Sequence, residues 1–139
     1  MGVYFHKEDR DVPLIDEGSI IKTIKHFCDM GKKEVGDINF IYCSDEFLLK
    51  MNIQYLEHNY YTDVITFNYC DGNIISGDVF MSRDRMDENA SELKINEKAE
   101  YIRVCAHGFL HLLGFNDSTG DEKAEMRKNE DRFIELTNT

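Results

Sequence analysis

Two histidines and an aspartate, spaced for one helix and the turn after it, are the residues of this sequence best suited to bind a metal ion. His107 and His111 are four residues apart, so on a helix both imidazoles project from the same face. Gly114 can take a positive φ, end that helix and turn the chain back. Asp117, three residues later, then brings a carboxylate to the same ion. The pattern HxxxHxxGxxD therefore predicts a mononuclear site, and this ligand set favours zinc with a fourth position open.

The helix around these histidines is apolar on nearly every side, which predicts that it lies in the core. Its apolar residues are Val104, Cys105, Phe109, Leu110, Leu112 and Leu113. Histidine rings on a buried helix need polar partners, and hydrogen bonds inside the core are the alternative to a metal. A pair at i and i+4 followed by a glycine turn and a carboxylate favours the metal. Other divalent ions also accept imidazole and carboxylate ligands.

The position after the first histidine separates this pattern from that of the zinc proteases. The zincin signature HExxH places a general-base glutamate there. This sequence has Gly108, which cannot accept a proton. Peptide hydrolysis by that route is not expected.

The elements that must position these residues follow from periodicity and turn signals. Strands fall mainly in the first half and helices in the second, which predicts an α+β fold with a small mixed sheet of about four strands. Asp71-Gly72 predicts a β-hairpin turn. The last helix is expected to pack by a thin apolar stripe, with its charges in solvent. We predict strands at 2–6, 35–43, 62–67 and 74–82, and helices at 17–31, 45–56, 83–92, 96–114 and 121–136, all in one domain spanning 1–139.

Composition and charge limit the function classes. The formal charge of −11 argues against nucleic-acid binding through a broad electrostatic footprint, so any nucleic-acid role would require a local basic patch, a metal or a partner that supplies the charge. No apolar run approaches the roughly 20 residues that span a bilayer. The first residues lack the apolar core of a secretory signal, so we expect a cytoplasmic protein without a membrane partner. The four cysteines form no CxxC pair and are expected to be free thiols.

Three segments together resemble a known family. HGFLHLLGFND (107–117) is similar to the HGxLHLxGxDH signature of the YbeY endoribonucleases, also called rRNA maturation factors. MNIQYLEHNYYTDVITF (51–67) resembles that family's LNxxYR…PTDVLSF segment, and ISGDVFMS (75–82) its LGDIxIS strand. The segments occur in the family's order, and the resemblance covers most of the chain.

This resemblance implies a small α+β fold with a zincin-like metal-binding helix and cleft, and a single zinc ion. It also implies metal-dependent cleavage of single-stranded RNA. The implied role is maturation of small-subunit rRNA and quality control of ribosomes. The implied partners are rRNA, the small ribosomal subunit and its proteins, and not DNA. By position, His107 and His111 are the first two metal ligands.

The sequence departs from the family at two positions. Asp117 replaces the third histidine, which lowers the charge of a zinc site from +2 to +1 and is expected to make its water less acidic. Leu56 stands where the family has an arginine suited to contact phosphate. Metal binding is expected to survive these changes better than catalysis.

Further catalytic candidates are Asp63, as a proton relay, and Asn116, which with Thr62 would orient substrate. Capping of the turn before the strand is the alternative role for Asp63. The leading hypothesis is a zinc-dependent endoribonuclease. The alternatives are a zinc-binding ribosome-assembly factor that does not cut RNA, and a metal-dependent hydrolase of peptides or small molecules, which Gly108 disfavours.

Overall fold

The structure is a computed structural model and describes residues 2–138. All predicted elements are present, with small shifts at their ends: β3 begins at Val64 and α4 ends at Leu112. No helix within residues 2–138 is long and apolar enough to cross a membrane. The elements are β1 (Gly2–Lys7), α1 (Glu17–Met30), β2 (Glu34–Cys43), α2 (Asp45–Leu56), β3 (Val64–Asn68), β4 (Ile74–Ser82), α3 (Arg83–Leu93), α4 (Glu97–Leu112) and α5 (Gly120–Thr137).

The strands form the predicted mixed sheet, in the order β1-β2-β4-β3. β2 is parallel to both β1 and β4, whereas β3 runs antiparallel to β4. The predicted hairpin is confirmed, because Asp71 bridges to Ile74 and Gly72 takes a φ of +60° between them. A parallel pair needs a crossover connection, which α1 supplies between β1 and β2.

The main core lies between one face of the sheet and the helix that carries the histidines. Alternate residues of the strands point to that face, so Phe40 and Tyr42 of β2 and Val79 and Met81 of β4 are fully buried. Phe109 of α4 packs in the same cluster. This burial confirms that α4 is a central helix and explains why its sequence is apolar on nearly every side.

Two glycines allow α4 to approach β4 very closely. A Cβ atom at Gly108 would lie 2.4 Å from Cγ1 of Val79, and one at Gly77 would lie 2.6 Å from Cδ2 of Leu112. No side chain fits at either position without movement of its neighbour. Position 108 therefore faces the sheet, and a zincin-type glutamate there would point into the core rather than toward the two histidines.

The last helix packs against α4 and α1 through a narrow stripe. The Phe133 ring lies 5.5 Å from that of Phe27 and 6.0 Å from that of Phe109, centroid to centroid. The expectation that the charges of α5 are all in solvent is wrong for Glu130, which is only 4% exposed. This buried carboxylate belongs to the site described next.

The four cysteines are free, as expected, and Cys28, Cys43 and Cys105 are buried. Burial raises the pKa of the Cys28 thiol to about 11 and those of Cys43 and Cys105 to about 12. These thiols remain protonated near neutral pH, which makes them unsuited to nucleophilic chemistry or metal binding.

Candidate metal centre

His107, His111 and Asp117 converge on one point of the surface. Their ligand atoms all lie within 4.8 Å of one another. Nε2 of His107 is 3.0 Å from Nε2 of His111 and 3.2 Å from Oδ2 of Asp117, and the third separation, from His111 Nε2 to Asp117 Oδ2, is 3.5 Å. All three side chains are partly exposed, so the group is open to solvent.

The hydrogen bonds of the two Nδ1 atoms determine which nitrogen of each histidine ring is available to bind a metal. Nδ1 of His111 lies 3.0 Å from the carbonyl oxygen of Phe115, which can only accept, so this nitrogen carries the proton. Nδ1 of His107 lies 2.6 Å from Oε2 of Glu130 and donates to that buried carboxylate. In the neutral rings both Nε2 atoms are then unprotonated, and their lone pairs face the carboxylate of Asp117.

This arrangement fits a divalent ion. Three electron-rich atoms within 3.5 Å of one another are favourable only with a cation or a shared proton between them. In a tetrahedral site with bonds of about 2.0–2.2 Å, ligand atoms lie roughly 3.3–3.6 Å apart, close to the separations of 3.0, 3.2 and 3.5 Å seen here. A carboxylate or carbonyl on the far nitrogen of each ring is also the usual support for a metal-bound histidine.

The turn after α4 brings both Phe115 and Asp117 back toward the helix. Gly114 has a φ of +105°, as its place in the sequence predicts, and its N–H donates to the carbonyl of His111. The N–H of Phe115 donates to the carbonyl of Leu110, which completes the helix end. The glycine therefore determines both the hydrogen bond that supports His111 and the position of Asp117.

Two clefts meet at the metal-binding group, and both include Thr62, Val64, His107 and Asp117. The arginine cleft has a volume of about 370 Å³ and is also lined by Tyr61, Asp63, Arg85 and Arg103. The β3 cleft has a volume of about 490 Å³ and extends along Leu56, Tyr60, Thr66 and Asn68.

Arg103 connects the arginine cleft to the support of His107. Its guanidinium makes two bonds to the fully buried Glu100, of 2.8 and 2.5 Å, and lies 3.5 Å from Oε1 of Glu130. The carboxylate of Glu100 raises the pKa of Arg103 further, so the charge is permanent. Buried carboxylates are stable only when paired, and Arg103 supplies that pairing for both glutamates.

Asp63 lies in the same cleft as His107, where the sequence predicts a proton relay. Burial raises the pKa of the Asp63 carboxyl, whereas nearby Arg103 and Arg85 partly oppose this effect. Arg85 bonds to Asp45 at 3.1 Å and lies 3.9 Å from Asp63. The alternative role of Asp63, in the turn before β3, is also visible, because its backbone carbonyl accepts from the N–H of Ser82.

The structure places the other sequence candidates in different surroundings. Leu56 is 42% exposed and lines the β3 cleft, so the family's arginine position does face the metal-binding group. Thr62 lies where the two clefts meet. Asn116 is exposed, interacts with Glu122 at the start of α5 and is not among the residues that line the two clefts. The role of Asn116 in orienting substrate stays a prediction.

Glu130, Arg85 and Arg103 are site residues that sequence reasoning missed. A signal for Glu130 was present, because it lies between Met126 and Phe133 at helical spacing and so belongs to the inward stripe of α5. Lys123 and Arg127 add two further cations around His107 and Asp117. Of these four cations, Arg85 and Arg103 are paired with carboxylates of the protein.

Comparisons with a family profile and with individual relatives all identify the same family. The family profile "Endoribonuclease YbeY" matches residues 4–138. The chain is 41% identical over 136 residues to endoribonuclease YbeY of Parabacteroides distasonis, with 98% of this chain and 96% of that protein covered. It is also 41% identical to endoribonuclease YbeY of Cytophaga hutchinsonii, covering 96% and 94%. The solution structure of TM1509 from Thermotoga maritima has a similar fold, with a TM-score of 0.66 at 20% identity, over 97% of this chain and 88% of that one.

Proposed function

This chain belongs to the YbeY endoribonuclease family, and from that premise we propose that it is a zinc-dependent endoribonuclease that cleaves single-stranded RNA. Its substrate would be rRNA of the small ribosomal subunit, in rRNA maturation and ribosome quality control in the cytoplasm. The observation that carries the proposal is the convergence of two histidine Nε2 atoms and one aspartate oxygen, within 3.5 Å, at the junction of two clefts.

Each residue of the site has a role in this reaction. His107, His111 and Asp117 would hold the ion, and Glu130 and the Phe115 carbonyl keep the histidines in the tautomer that binds it. A bound zinc ion would supply Lewis-acid polarisation of a phosphoryl oxygen and lower the pKa of a water molecule. Arg85 and Arg103 place positive charge in the cleft that the phosphate must enter.

Asp63 is the group in the arginine cleft suited to accept the proton of the attacking oxygen. A carboxylate is a better general base when its pKa is raised toward the working pH, and burial raises the pKa of Asp63 in that direction. Gly108 leaves no glutamate at the zincin base position, so within this cleft Asp63 replaces it in the proposed mechanism.

The test is cleavage of single-stranded rRNA by purified protein, with and without chelator, beside His107→Ala and Asp117→Ala. We expect cleavage to require the metal and to fall by at least about 100-fold in both variants, since each loses a ligand. His26→Ala, at an exposed position on α1, is the matched control and should cleave as wild type. Unchanged cleavage in both ligand variants would contradict the proposal.

Metal analysis of the same preparations distinguishes the proposed nuclease from a zinc-binding protein that does not cleave RNA. Stoichiometric zinc without any RNA cleavage would favour a non-cleaving ribosome-assembly factor. Leu56 and the net charge of −11 are the features that support this second function.

A further inference from the structure

Two adjacent tyrosines border the metal-binding group without any role in holding the ion. Tyr60 lines the β3 cleft and Tyr61 lines the arginine cleft. These two residues are 56% and 46% exposed. The chain bends at Tyr60, in the loop between α2 and β3, and one ring lies in each cleft.

The loop that carries these rings is held in place. The side-chain amide of the buried Asn52 donates to the carbonyl of Tyr60 at 2.8 Å, and the carbonyl of Asn52 accepts from the N–H of His58. Glu57 ends α2 in the left-handed conformation, with a φ of +57°. Exposed rings on a fixed loop lose little conformational entropy when a ligand binds them.

Each ring has one face occupied by the protein itself. The His58 ring stacks on Tyr60, with centroids 5.2 Å apart and planes 18° apart. The guanidinium of Arg85 lies 5.7 Å from the centroid of Tyr61. The hydroxyl groups are also bonded, Tyr60 to His58 and Tyr61 to Glu46. The exposed part of each tyrosine is therefore largely aromatic ring, which presents a flat surface rather than a free polar group.

The acidic net charge of this chain favours contacts between RNA bases and aromatic rings over contacts with phosphate. Arg85 and Arg103 are paired with carboxylates, the family's arginine is replaced by Leu56, and the net charge is −11. Phosphate contacts therefore supply less of the binding free energy than in a basic protein. Stacking of bases on aromatic rings does not depend on charge and requires bases that are unpaired.

We propose that Tyr60 and Tyr61 are stacking platforms for two unpaired bases on either side of the phosphodiester at the metal-binding group. The inference rests on the proposed endoribonuclease function and adds to it the reason for a single-stranded substrate. Binding should accordingly depend on the rings, not on their hydroxyl groups, and should be only weakly sensitive to salt.

The experiment measures binding of a fluorescently labelled single-stranded RNA by anisotropy, with chelator present so that cleavage does not remove the probe. We expect Tyr60→Leu and Tyr61→Leu each to raise Kd by about 5- to 100-fold, and both Phe variants to stay within about threefold. Tyr4→Leu is the matched control: Tyr4 is 45% exposed on β1, at the opposite edge of the sheet from β3. Circular dichroism spectra of all variants verify that they are folded.

A second probe of the same length, with abasic riboses at its central positions, identifies stacking as the cause. The Leu variants and wild type should bind this probe equally, because the partners of the rings are gone. Leu variants that bind the normal RNA within twofold of wild type, or that lose affinity equally for both probes, overturn the inference.

Failure of the inference is distinguishable from failure of the proposed function. Metal-dependent cleavage by wild type together with unchanged binding by the Leu variants would reject the stacking platforms and leave the endoribonuclease intact. Ring-dependent binding without cleavage under any metal would retain the platforms and reject the nuclease.

Discussion

Nδ1 of His107 in α4 and Oε2 of Glu130 in α5 lie 2.6 Å apart, and this bond joins the helix that carries the two histidines to the last helix of the chain. Glu130 is buried and shares Arg103 with Glu100, so the bond forms part of a charged network under the site. The network fixes the ring of His107 before any ion arrives. Such preorganisation reduces the cost of binding.

Replacing that carboxylate should weaken metal binding without removing a ligand. We expect Glu130→Gln to lower zinc affinity by about 10- to 100-fold, because the amide supports the imidazole less strongly. Competition titration with a chromogenic chelator measures the change. Asp131→Asn, an acid-to-amide change at the neighbouring exposed position of α5, should bind zinc as wild type does. Equal affinities in the two variants would contradict a supporting role for Glu130.

The contact between Gly108 and Val79 should make even a methyl group at position 108 destabilising. Alanine normally stabilises a helix relative to glycine by about 1 kcal/mol, but here its Cβ would lie 2.4 Å from Cγ1 of Val79. We expect Gly108→Ala to lower the free energy of unfolding by about 1–3 kcal/mol in urea denaturation. Gly120→Ala is the control, because a Cβ there meets nothing within 4 Å.

A double variant checks the cause of that loss. Val79→Ala removes the atoms that clash, so Gly108→Ala should cost less in the Val79→Ala background than in wild type. Additive effects of the two substitutions would show that the clash is not the reason. The same experiment addresses why this chain has no glutamate at the zincin base position.

Restoring the missing arginine should strengthen RNA binding through phosphate. Leu56→Arg adds a cation in the β3 cleft, beside the metal-binding group. We expect tighter binding at low salt and a slope of log K against log salt that is steeper by about 0.7, the value for one added contact on single strands. Leu14→Arg adds the same charge at a 91% exposed position between β1 and α1 and should leave the slope unchanged. Identical slopes for the two variants would contradict a phosphate contact at position 56.

The charged carboxylate of Asp63, the proposed general base, should lower the free energy of unfolding at neutral pH. Burial raises its pKa in the folded protein, and such a group destabilises the folded state when charged. The cost is complete above the folded-state pKa and disappears below the unfolded value of about 3.9. Asp63→Asn should therefore raise Tm at neutral pH, with a difference that shrinks as the pH falls through the raised pKa.

Thermal unfolding across this pH range, in the presence of chelator, checks that expectation. The same variant should cleave RNA more slowly if Asp63 accepts a proton in the reaction. Asp131→Asn serves again as the control and should show no such pH-dependent gain. A gain in Tm that is constant at every pH would contradict the linkage to the charge of Asp63.

The sequence alone determined the local geometry of the candidate metal centre. The spacing of His107 and His111 places both rings on one helix face, and the positive φ of Gly114 ends that helix, because both follow from the backbone within a few residues. The Asp-Gly turn likewise predicts the β3–β4 hairpin from adjacent residues. These features depend on contacts between residues that are close in the sequence, so the spacing of residues predicts them.

Only the tertiary structure decided which side chains surround His107, His111 and Asp117. Glu130 is 23 residues from His107, and a sequence pattern that predicts a helix does not say which carboxylate the packing of α5 on α4 will bury. Arg85 and Asp63 meet because α3 follows the strand that pairs with β3. Asn52 of α2 holds the loop of Tyr60 and Tyr61 beside the two clefts. The convergence of His107, His111 and Asp117 follows from local helix and turn geometry. The hydrogen bonds that support them, the nearby charges and the aromatic residues of the clefts follow from contacts between distant segments.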